Sequence, residues 1–307
     1  MGQYYVGVDV GGTTVKMGLF SDVGELLEKW EIPTCLEDHG SHVLTDIVDS
    51  IESKRCKWEG NIRGIGVGIP GPVTDDGVVL KCANLGWGVF SVKNELASLT
   101  GVGNVKVAND ANVAALGEIW RGGGRGYDSI VMVTLGTGVG GGIIHQGKIL
   151  TGSRGAGGEI GHTKVNPNET QTCGCGNRGC LEQYASATGI VRMAKEHLPE
   201  NSCLFNQEIT AKTVFDGAKA GDEYCKEVVD KFGRYLGLAL SNVAHVIDPE
   251  AFVIGGGVSA AGQIILDVVE KYYEENSMYA LKDRKFHLAE LGNDAGIYGT
   301  VRMVMFK

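Results

Sequence analysis

Short apolar runs alternate along the chain with longer stretches in which apolar residues recur every three or four positions. The short runs are interrupted by glycine and predict strands at Val6–Phe20, Ile65–Pro72, Val131–Ile144 and Phe252–Val258. The longer stretches predict helices over His42–Arg55, Asp110–Trp120, Ala185–His197, Ala211–Ala220, Asp222–Val246, Val258–Tyr273 and Asp294–Phe306. We expect Asp294 to cap the last of these helices. Strands and helices that alternate in this way are typical of α/β domains.

Two of the glycine-rich segments resemble each other. VDVGGTTVKMGLF, which begins at Val8, and VTLGTGVGGGII, which begins at Val133, both have the pattern strand, Gly/Thr turn, strand. The repeat distance is too long for a solenoid, so the pattern predicts two copies of one domain type that face each other across a cleft. Such clefts are favoured ligand sites. No low-complexity linker marks a boundary, and the change of pattern places it near Leu116–Gly124.

The composition narrows the class of protein. The chain has 307 residues, of which 43% are hydrophobic and 21% charged, as in a globular protein long enough for two domains. Its net charge of −9 and the absence of any basic run argue against a nucleic-acid surface. Eight irregularly spaced cysteines, without a charged and then apolar leader, predict a reducing cytoplasm. No run reaches the ~18 apolar residues of a membrane span, so the expected partners are small molecules or proteins.

Glycine is the outlier in the composition, with 48 residues, more than double the roughly 7% of average usage. Two sets of glycines match the dinucleotide pattern G-x-G-x-x-G: Gly136, Gly138 and Gly141, and Gly66, Gly68 and Gly71. Neither set opens a helix directly after a strand, as that fingerprint requires. The P-loop pattern G-x-x-x-x-G-K-[ST] does not occur in the sequence.

The two strand–turn–strand segments offer backbone N–H groups and threonine hydroxyls at their turns. The first turn contains Gly11, Gly12, Thr13 and Thr14, and the second contains Gly136, Thr137 and Gly138. Turns of this composition bind anions, although each one alone also fits a tight turn that needs positive φ. The presence of both turns favours a polyphosphate ligand, and Asp9 before the first turn is a candidate for holding Mg²⁺ through water.

Asp110 is the candidate catalytic residue. It follows a strand that we expect to end near Val107 and precedes a helix, in the segment VKVANDANVAALGE. The simplest role of an aspartate in this position is to cap the helix. The two roles are compatible, because the helix dipole keeps a carboxylate at the N-terminus ionised, and an ionised carboxylate accepts a hydroxyl proton.

The segment from Glu159 to Glu182 brings three cysteines and a histidine close together in the sequence. Cys173, Cys175 and Cys180, with His162 upstream, form the Cys₃His set of a closed tetrahedral zinc site. The spacing C-x-C-x₄-C does not match a common zinc-finger class. The alternative is three reduced thiols in a loop, but buried cysteines usually lie in apolar runs, and these are flanked by glycine, asparagine and arginine.

Together, these motifs resemble the ROK family of bacterial sugar kinases and regulators, and the match extends over nearly the whole chain. The motifs are Asp9-Val-Gly-Gly-Thr-Thr, Asn109-Asp110, LGTGVGGG from Leu135, GEIGH from Gly158, CGCGNRGCLE from Cys173 and IGGGVS from Ile254. Within the family, the chain most resembles the ATP-dependent glucokinases. The resemblance implies an actin-like (ribonuclease H-like) α/β ATPase fold of two domains with an interdomain cleft. The N-terminal domain would cover residues 1–118 and 294–307, and the C-terminal domain would cover residues 119–293 with the zinc loop.

The resemblance also implies roles for individual residues. Asp110 would be the base that accepts the proton of the sugar's exocyclic hydroxyl, and the other hydroxyls would be held by Asn84, Asn109, Glu159, His162 and Glu182. The phosphates would lie against Gly12, Thr13, Thr14, Thr137 and Gly138, beside Gly11 and Gly136, and the adenosine would lie against Gly255, Gly256 and Gly257. A structural zinc would be bound by His162, Cys173, Cys175 and Cys180, with the second ring nitrogen of the histidine directed toward a sugar hydroxyl.

We therefore expect phosphorylation of glucose to glucose 6-phosphate with ATP and Mg²⁺. Kinases of the same family for fructose, allose or N-acetylmannosamine are the alternatives, because shared hydroxyl contacts separate these sugars poorly. A sugar-sensing regulator is a further alternative, but the first phosphate motif begins eight residues from the start, which leaves no room for an N-terminal DNA-binding domain. The relatives suggest a homodimer or a tetramer.

Overall fold

The structure is a computed structural model of the chain, and it describes residues 2–55, 57–58 and 60–306. Its strands are β1 Gly2–Val10, β2 Thr14–Ser21, β3 Leu26–Pro33, β4 Gly60–Ile69, β5 Val78–Val79, β6 Phe90–Ser91, β7 Val105–Asn109, β8 Ile130–Leu135, β9 Val139–His145, β10 Lys148–Ile149, β11 Ala251–Gly255 and β12 Lys285–Leu288. Its α-helices are α1 Val43–Arg55, α2 Val92–Thr100, α3 Asp110–Arg121, α4 Glu182–Ala185, α5 Ala187–Glu196, α6 Ala211–Ala220, α7 Glu223–Ile247, α8 Gln263–Asn276 and α9 Ala295–Met305. The predicted α/β class is thus confirmed.

The two five-stranded sheets have the same kind of strand order. One sheet has the order β3-β2-β1-β4-β7. In it β2 is antiparallel to both β1 and β3, whereas β1, β4 and β7 are parallel to one another. The other has the order β10-β9-β8-β11-β12, in which β9 and β10 are antiparallel and β8, β11 and β12 are parallel. The two segments that resemble each other in sequence, β1–β2 and β8–β9, therefore occupy equivalent positions.

The chain packs into two compact units. The first unit consists of Met1–Gly126, Gly142–Gly158 and Leu291–Lys307, and the second of Tyr127–Gly141 and Glu159–Glu290. The domain boundaries predicted at residues 118/119 and 293/294 remain a proposal; packing places residues 142–158 with the first unit.

The core of the first unit lies between its sheet and the helices that cover it. Inward-facing residues of β1 and β4, among them Val6, Val8 and Ile65, are fully buried. Glycine lets α9 approach closely: a methyl group at Gly66 would overlap the backbone of Thr300, and one at Gly299 would overlap the carbonyl of α3 residue Val113. The backbone of α9 therefore packs directly against the backbones of β4 and α3, at a separation that only glycine permits.

A buried carboxylate fixes the start of the last segment of the first unit. Glu118 on α3 has no exposed surface, and its oxygens accept hydrogen bonds from the backbone N–H groups of Gly123, at 2.8 Å, and Leu291, at 2.9 Å. These bonds compensate the loss of hydration of the buried group. They also hold residue 291 beside α3, so that α9 begins in the right place.

The second unit is built around α7, its longest helix. Asp222 caps this helix, and its side chain accepts a hydrogen bond from the backbone N–H of Cys225. Gly233 and Gly237, four residues apart and so on one face, provide the room into which α8 packs. Strand β11, which lies between β8 and β12, is buried along its whole length, as expected for a parallel strand covered on both faces. Within the described residues, no helix combines the length and the apolar character that a transmembrane span needs.

Three helix predictions were wrong in detail. Asp294 does not cap α9 with its side chain, because its carboxylate pairs with Lys29 at 2.8 Å. The helix predicted from Val258 begins only at Gln263, after a 3₁₀ turn, because Gly262 has a φ of +80°. The helix predicted over Ala185–His197 is interrupted at Ser186, whose hydroxyl caps α5 by accepting the N–H of Gly189.

Candidate active site

The first glycine-threonine turn connects β1 to β2 in the first unit. The N–H of Gly11 donates to the carbonyl of Thr14 at 3.0 Å. Thr34, which follows β3, also holds the turn, because its hydroxyl donates to the carbonyl of Gly11 at 2.8 Å. Neither Gly11 nor Gly12 has positive φ, so backbone strain does not explain them. A methyl group at Gly12 would meet no atom within 4 Å. Packing therefore does not require glycine at this position either, and the space beside it is open.

Asp9 is the second-last residue of β1, just before this turn. Partial burial, and after it the negative charge of Asp110, raises the pKa of Asp9 to about 6. Its carboxylate lies against Gly296 in the first turn of α9, where a side chain would collide with it. Gly296 was not predicted from the sequence, where its position after Asn293-Asp294-Ala295, at a predicted helix start, was the only signal. A helix N-terminus and a nearby cation both favour the ionised form of such a carboxylate.

Asn109 and Asp110 form a fixed pair at the start of α3. The Asn109 side chain is the helix cap, since its Oδ1 accepts the N–H groups of Ala111 at 3.0 Å and Asn112 at 3.2 Å. Its Nδ2 donates to Asp110 Oδ1 at 2.9 Å, which also accepts the N–H of Ala111 at 2.8 Å. The capping role considered for Asp110 thus belongs to Asn109. Asp110 is instead the first residue of the helix, with its carboxylate held in place.

Two further features of the first unit bear on the proposed sugar contacts. Asn109 Nδ2 also donates to the carbonyl of Gly71 at 3.2 Å, which connects the pair to the segment after β4. Gly71 has a φ of +110°, and a side chain there would press on the carbonyl of Lys81. Asn84 lies in a 3₁₀ turn over Ala83–Leu85 and is exposed. Gly71 was noticed in the sequence only as part of a pattern that we rejected.

The metal-ligand candidates come together in the second unit. His162, Cys173, Cys175 and Cys180 each offer one ligand atom, and these four atoms lie within 4.8 Å of one another. Cys173 Sγ is 3.8 Å from His162 Nδ1, and Cys175 Sγ is 3.6 Å from Cys180 Sγ. Isolated antiparallel bridges, Lys164 with Cys180 and Thr172 with Arg178, close the loop around them.

These distances fit zinc. With Zn–S bonds of about 2.3 Å in tetrahedral geometry, neighbouring sulfur atoms lie about 3.8 Å apart. Burial raises the pKa of Cys173 and that of Cys180, the latter to about 12, whereas the backbone N–H of Asn177 lowers the pKa of Cys175. Zinc would bind these residues as thiolates, so metal binding would release their protons.

Glu182 lies between the metal-ligand cluster and the second glycine-threonine turn. Its Oε1 is 3.6 Å from Cys173 Sγ, and its Oε2 accepts the N–H of Val139 at 3.1 Å. A methyl group at Gly138 would collide with Oε2. The space beside this glycine is therefore taken by the Glu182 carboxylate, and its φ is not positive. Glu159 lies exposed before the 3₁₀ turn Ile160–His162, and its carbonyl accepts the N–H of His162 at 3.2 Å.

A cavity of about 500 Å³ opens beside the second turn, within the second unit. Its lining includes Gly136, Thr137 and Gly257, which the sequence analysis had selected. A methyl group at Gly136 or Gly257 would meet no atom within 4 Å, so both leave space open. Gly255 and Gly256 serve the fold instead: a side chain at Gly255 would press on Ala289, and Gly256 has a φ of +84° against Leu135. The sequence analysis missed the other wall of the cavity, which is the start of α6 with Thr210, Ala211, Lys212, Phe215 and Asp216.

A second group of potential metal ligands in the same unit consists of Cys203, Asp222 and Cys225. The carboxylate of Asp222 is already engaged there, because it accepts the backbone N–H groups of Cys203 at 2.7 Å and Cys225 at 2.8 Å. The group is therefore explained by helix capping.

The selected residues thus fall into two sets, one in each compact unit. The first unit contains Asp9, the Gly11–Thr14 turn, Asn84, Asn109 and Asp110. The second contains the Gly136–Gly138 turn, Glu159, Glu182, the metal ligands and the Gly255–Gly257 turn.

Comparison with known proteins identifies the family. The ROK family model matches residues 5–306. A glucokinase from Halalkalibacterium halodurans is 44% identical, over 97% of this chain and 93% of that protein. A glucokinase from Thermotoga maritima is 37% identical, over 97% of this chain and 96% of that protein.

A solved structure gives the same result. A ROK family glucokinase from Streptomyces griseus, in complex with glucose and AMPPNP, has a TM-score of 0.76 at 32% identity and covers 98% of each chain. This similarity confirms the predicted actin-like fold class. A family match over nearly the whole chain and 44% identity to a relative of similar length lead to one conclusion: the chain belongs to the ROK family and is a sugar kinase of the glucokinase type.

Proposed function

We propose that this protein transfers the γ-phosphoryl group of ATP to the 6-hydroxyl of glucose. The observation that carries the proposal is the Asn109–Asp110 pair, because it holds a carboxylate at the start of a helix through two hydrogen bonds to Oδ1. The similarity to glucokinases supports the choice of substrate.

Asp110 acts as the general base in this proposal. It accepts the proton of the 6-hydroxyl as the bond between that oxygen and the γ-phosphorus forms and the bond from phosphorus to ADP breaks. Proton transfer of this kind contributes about 10²–10⁴-fold to a rate. Positioning and neutralisation of charge contribute most of the remainder in phosphoryl transfer. Asn84, Asn109, Glu159, His162 and Glu182 hold the other sugar hydroxyls.

The nucleotide occupies the two turns and the cavity of the second unit. Gly12, Gly136 and Gly257 support this assignment, because nothing in the fold needs a glycine at these positions and a side chain there would fill the space. The phosphates lie along Gly11–Thr14 and Gly136–Gly138, and the adenosine lies near Gly255–Gly257 and α6. Asp9 holds the Mg²⁺ of the nucleotide through water, which suits the reluctance of this ion to lose its hydration shell.

Zinc is structural in this proposal. His162, Cys173, Cys175 and Cys180 hold it, and four protein ligands leave no open position for a water molecule. The Nδ1 atom of His162 is the one that faces Cys173, so Nε2 is directed elsewhere and serves a sugar hydroxyl. The metal fixes the tautomer and the ring angle of this histidine.

A panel of hexoses tests the substrate. Initial rates with glucose, fructose, allose and N-acetylmannosamine, each with ATP and Mg²⁺, should give the highest kcat/KM for glucose. A higher kcat/KM for one of the other sugars would replace glucose as the substrate but leave the kinase assignment intact. A homodimer or a tetramer, in the cytoplasm, remains a prediction from the sequence.

A further inference from the structure

A cavity of about 520 Å³ lies in the first unit, away from the glycine turns. Six segments line it: residues 73–77, the start of α2 at Lys93, strand β7, the first two turns of α3, residues 146–151 and the chain around the end of α9. Asp110 is not among its lining residues. The sugar and nucleotide contacts proposed above share only Asn109 with it, and the polar atoms of that side chain are directed to Gly71, Asp110 and the start of α3. The cavity is therefore a separate site.

The lining of this cavity is strongly cationic. Lys93, Lys106, Lys148 and Arg302 line it, against one carboxylate, that of Asp75. Among the described residues, no ion pair includes any of the four cations. This concentration of positive charge occurs on a chain whose net charge is −9. Unpaired charges of one sign around a concave surface attract ligands of the opposite sign.

The cations lie close enough to affect one another. Burial, and after it the charges of Arg302 and Lys93, lowers the pKa of Lys106. Burial likewise lowers the pKa of Arg302. Lys93 and Arg302 are half-buried, whereas Lys106 and Lys148 are exposed. An anion bound among these four side chains relieves their mutual repulsion.

A side chain with a buried, unpaired polar atom also belongs to the lining of this cavity. Asn112 on α3 is only 2% exposed, and its Oδ1 has no hydrogen-bond partner among the described residues. Buried acceptors of this kind are nearly always paired in native proteins, and each exception calls for an explanation. An acceptor cannot be satisfied by an anion. It needs a donor, such as a hydroxyl group of a ligand that also carries negative charge.

We propose that this cavity binds a phosphorylated polyhydroxy compound of the sugar phosphate or phosphorylated sugar acid class. The phosphate and any carboxylate pair with Lys93, Lys106, Lys148 and Arg302, and a hydroxyl donates to Asn112 Oδ1. A drug-sized ligand fits a cavity of this volume. This inference does not depend on which sugar the active site phosphorylates.

The position of the cavity makes it a regulatory site. Asn112 lies two residues after Asp110 on α3, and both Asn109 and Asn112 line the cavity. A ligand held by Asn112 therefore contacts the same helix turn that positions the base.

The test uses 6-phosphogluconate as the probe, because it combines a phosphate, a carboxylate and hydroxyls. Isothermal titration with the full chain, in the presence of saturating glucose and a nonhydrolysable ATP analogue, should show one site per chain. The double variant Lys106→Gln/Lys148→Gln should raise the Kd at least tenfold, while Lys285→Gln, the same change at an exposed lysine outside the cavity, should leave it unchanged. No binding to the unaltered protein, or equal binding to the double variant, would overturn the proposal.

The role of Asn112 is tested by a second variant. Asn112→Leu removes the unpaired acceptor at similar volume, so the protein without ligand should unfold at the same or a higher temperature. The Kd of 6-phosphogluconate should rise at least fivefold in this variant, whereas that of inorganic phosphate should stay the same. An unchanged Kd for 6-phosphogluconate would refute the hydroxyl contact and with it the polyhydroxy class of ligand. If the variant does not fold, Asn112→Thr, which keeps an acceptor oxygen, should retain most of the affinity, and its loss would count against the proposal.

Discussion

Glu182 accepts a hydrogen bond from the backbone N–H of Val139, at 3.1 Å, while its other carboxylate oxygen lies 3.6 Å from the sulfur of Cys173. One side chain thus joins the metal-ligand loop to the turn that precedes β9. Ala187 and Thr188 add to this connection, because they donate hydrogen bonds to the carbonyls of Gly136 and Thr137, at 2.8 and 2.9 Å. In the second unit, a change in the conformation of the metal-ligand loop should therefore also affect the conformation of the turn.

Loss of the metal should affect both substrates. Cys175→Ser removes one of four proposed ligands, so elemental analysis should show less than one zinc per chain. Sugar affinity should fall because His162 and Glu182 lose their support, and nucleotide affinity should fall more weakly because Glu182 also holds the turn at Val139. Titrations with glucose and with an ATP analogue measure both effects. Cys35→Ser, outside the cluster, is the matched control, and unchanged glucose affinity in Cys175→Ser would contradict the coupling.

Asp110→Asn should abolish turnover while glucose still binds. The amide keeps the shape of the side chain but cannot accept the hydroxyl proton, so kcat should fall by about 10²–10⁴-fold. The Kd of glucose, measured by titration, should change by only a few-fold. A variant that retains a substantial part of kcat would remove Asp110 from the role of base.

Two glycines of the second turn should respond differently to alanine. At Gly136 a methyl group meets no atom within 4 Å, so Gly136→Ala should fold normally but raise the KM for ATP, because the methyl group occupies ligand space. At Gly138 it would collide with Glu182, so Gly138→Ala should also lower the unfolding temperature. Gly103→Ala, at an equally open position outside the site, is the control. A normal KM for ATP in Gly136→Ala would argue against phosphate binding there.

Asp222 should make the stability of the second unit depend on pH. Burial alone would raise its pKa, but the backbone N–H groups of Cys203 and Cys225 hold the pKa well below the usual value. A depressed pKa in the folded state means that the stabilisation is fully present above the unfolded-state pKa of about 3.9 and is lost as pH falls below it. Asp222→Ala should therefore cost about 1–2 kcal/mol at pH 7, and the difference should shrink toward pH 2.

Urea unfolding of the two proteins at pH 7, 5, 3 and 2 measures this dependence. The same change at Asp267, which is exposed on α8, is the control. At every pH its free energy of unfolding should lie within about 0.5 kcal/mol of that of the unaltered protein. An Asp222→Ala difference that is the same at pH 7 and pH 2 would show that the ionised carboxylate is not what stabilises the helix start.

The parts of this molecule that sequence alone could predict are those set by neighbouring residues. The two glycine-threonine turns and the cysteine loop could be recognised from the composition of short segments, although distant residues such as Thr34 and Glu182 also hold the turns. The span of α6, Ala211–Ala220, was predicted to the residue because Thr210 caps it and Gly221, with positive φ, ends it. Local chemistry determines such boundaries.

Contacts between residues that lie far apart in the sequence could not be predicted from local patterns. Asp294 precedes α9, as a capping residue would, but its carboxylate forms an ion pair with Lys29 on β3 instead. Gly296 looked like an ordinary helical glycine until the fold brought Asp9 against it. The start of α6 gave no hint that it lines a cavity with Gly136, because only the packing of the second unit brings the two together.

The discontinuous first unit has a consequence for synthesis. Its last segment, Leu291–Lys307, follows all of the second unit in the chain, yet α9 supplies Gly299 and Thr300 to the closest backbone contacts with α3 and β4. As the ribosome makes the chain from its N-terminus, β1 and β4 emerge long before the helix that covers them. The core of the first unit therefore stays incomplete until the whole second unit has been translated. During this interval we expect chaperone binding and aggregation to compete with folding.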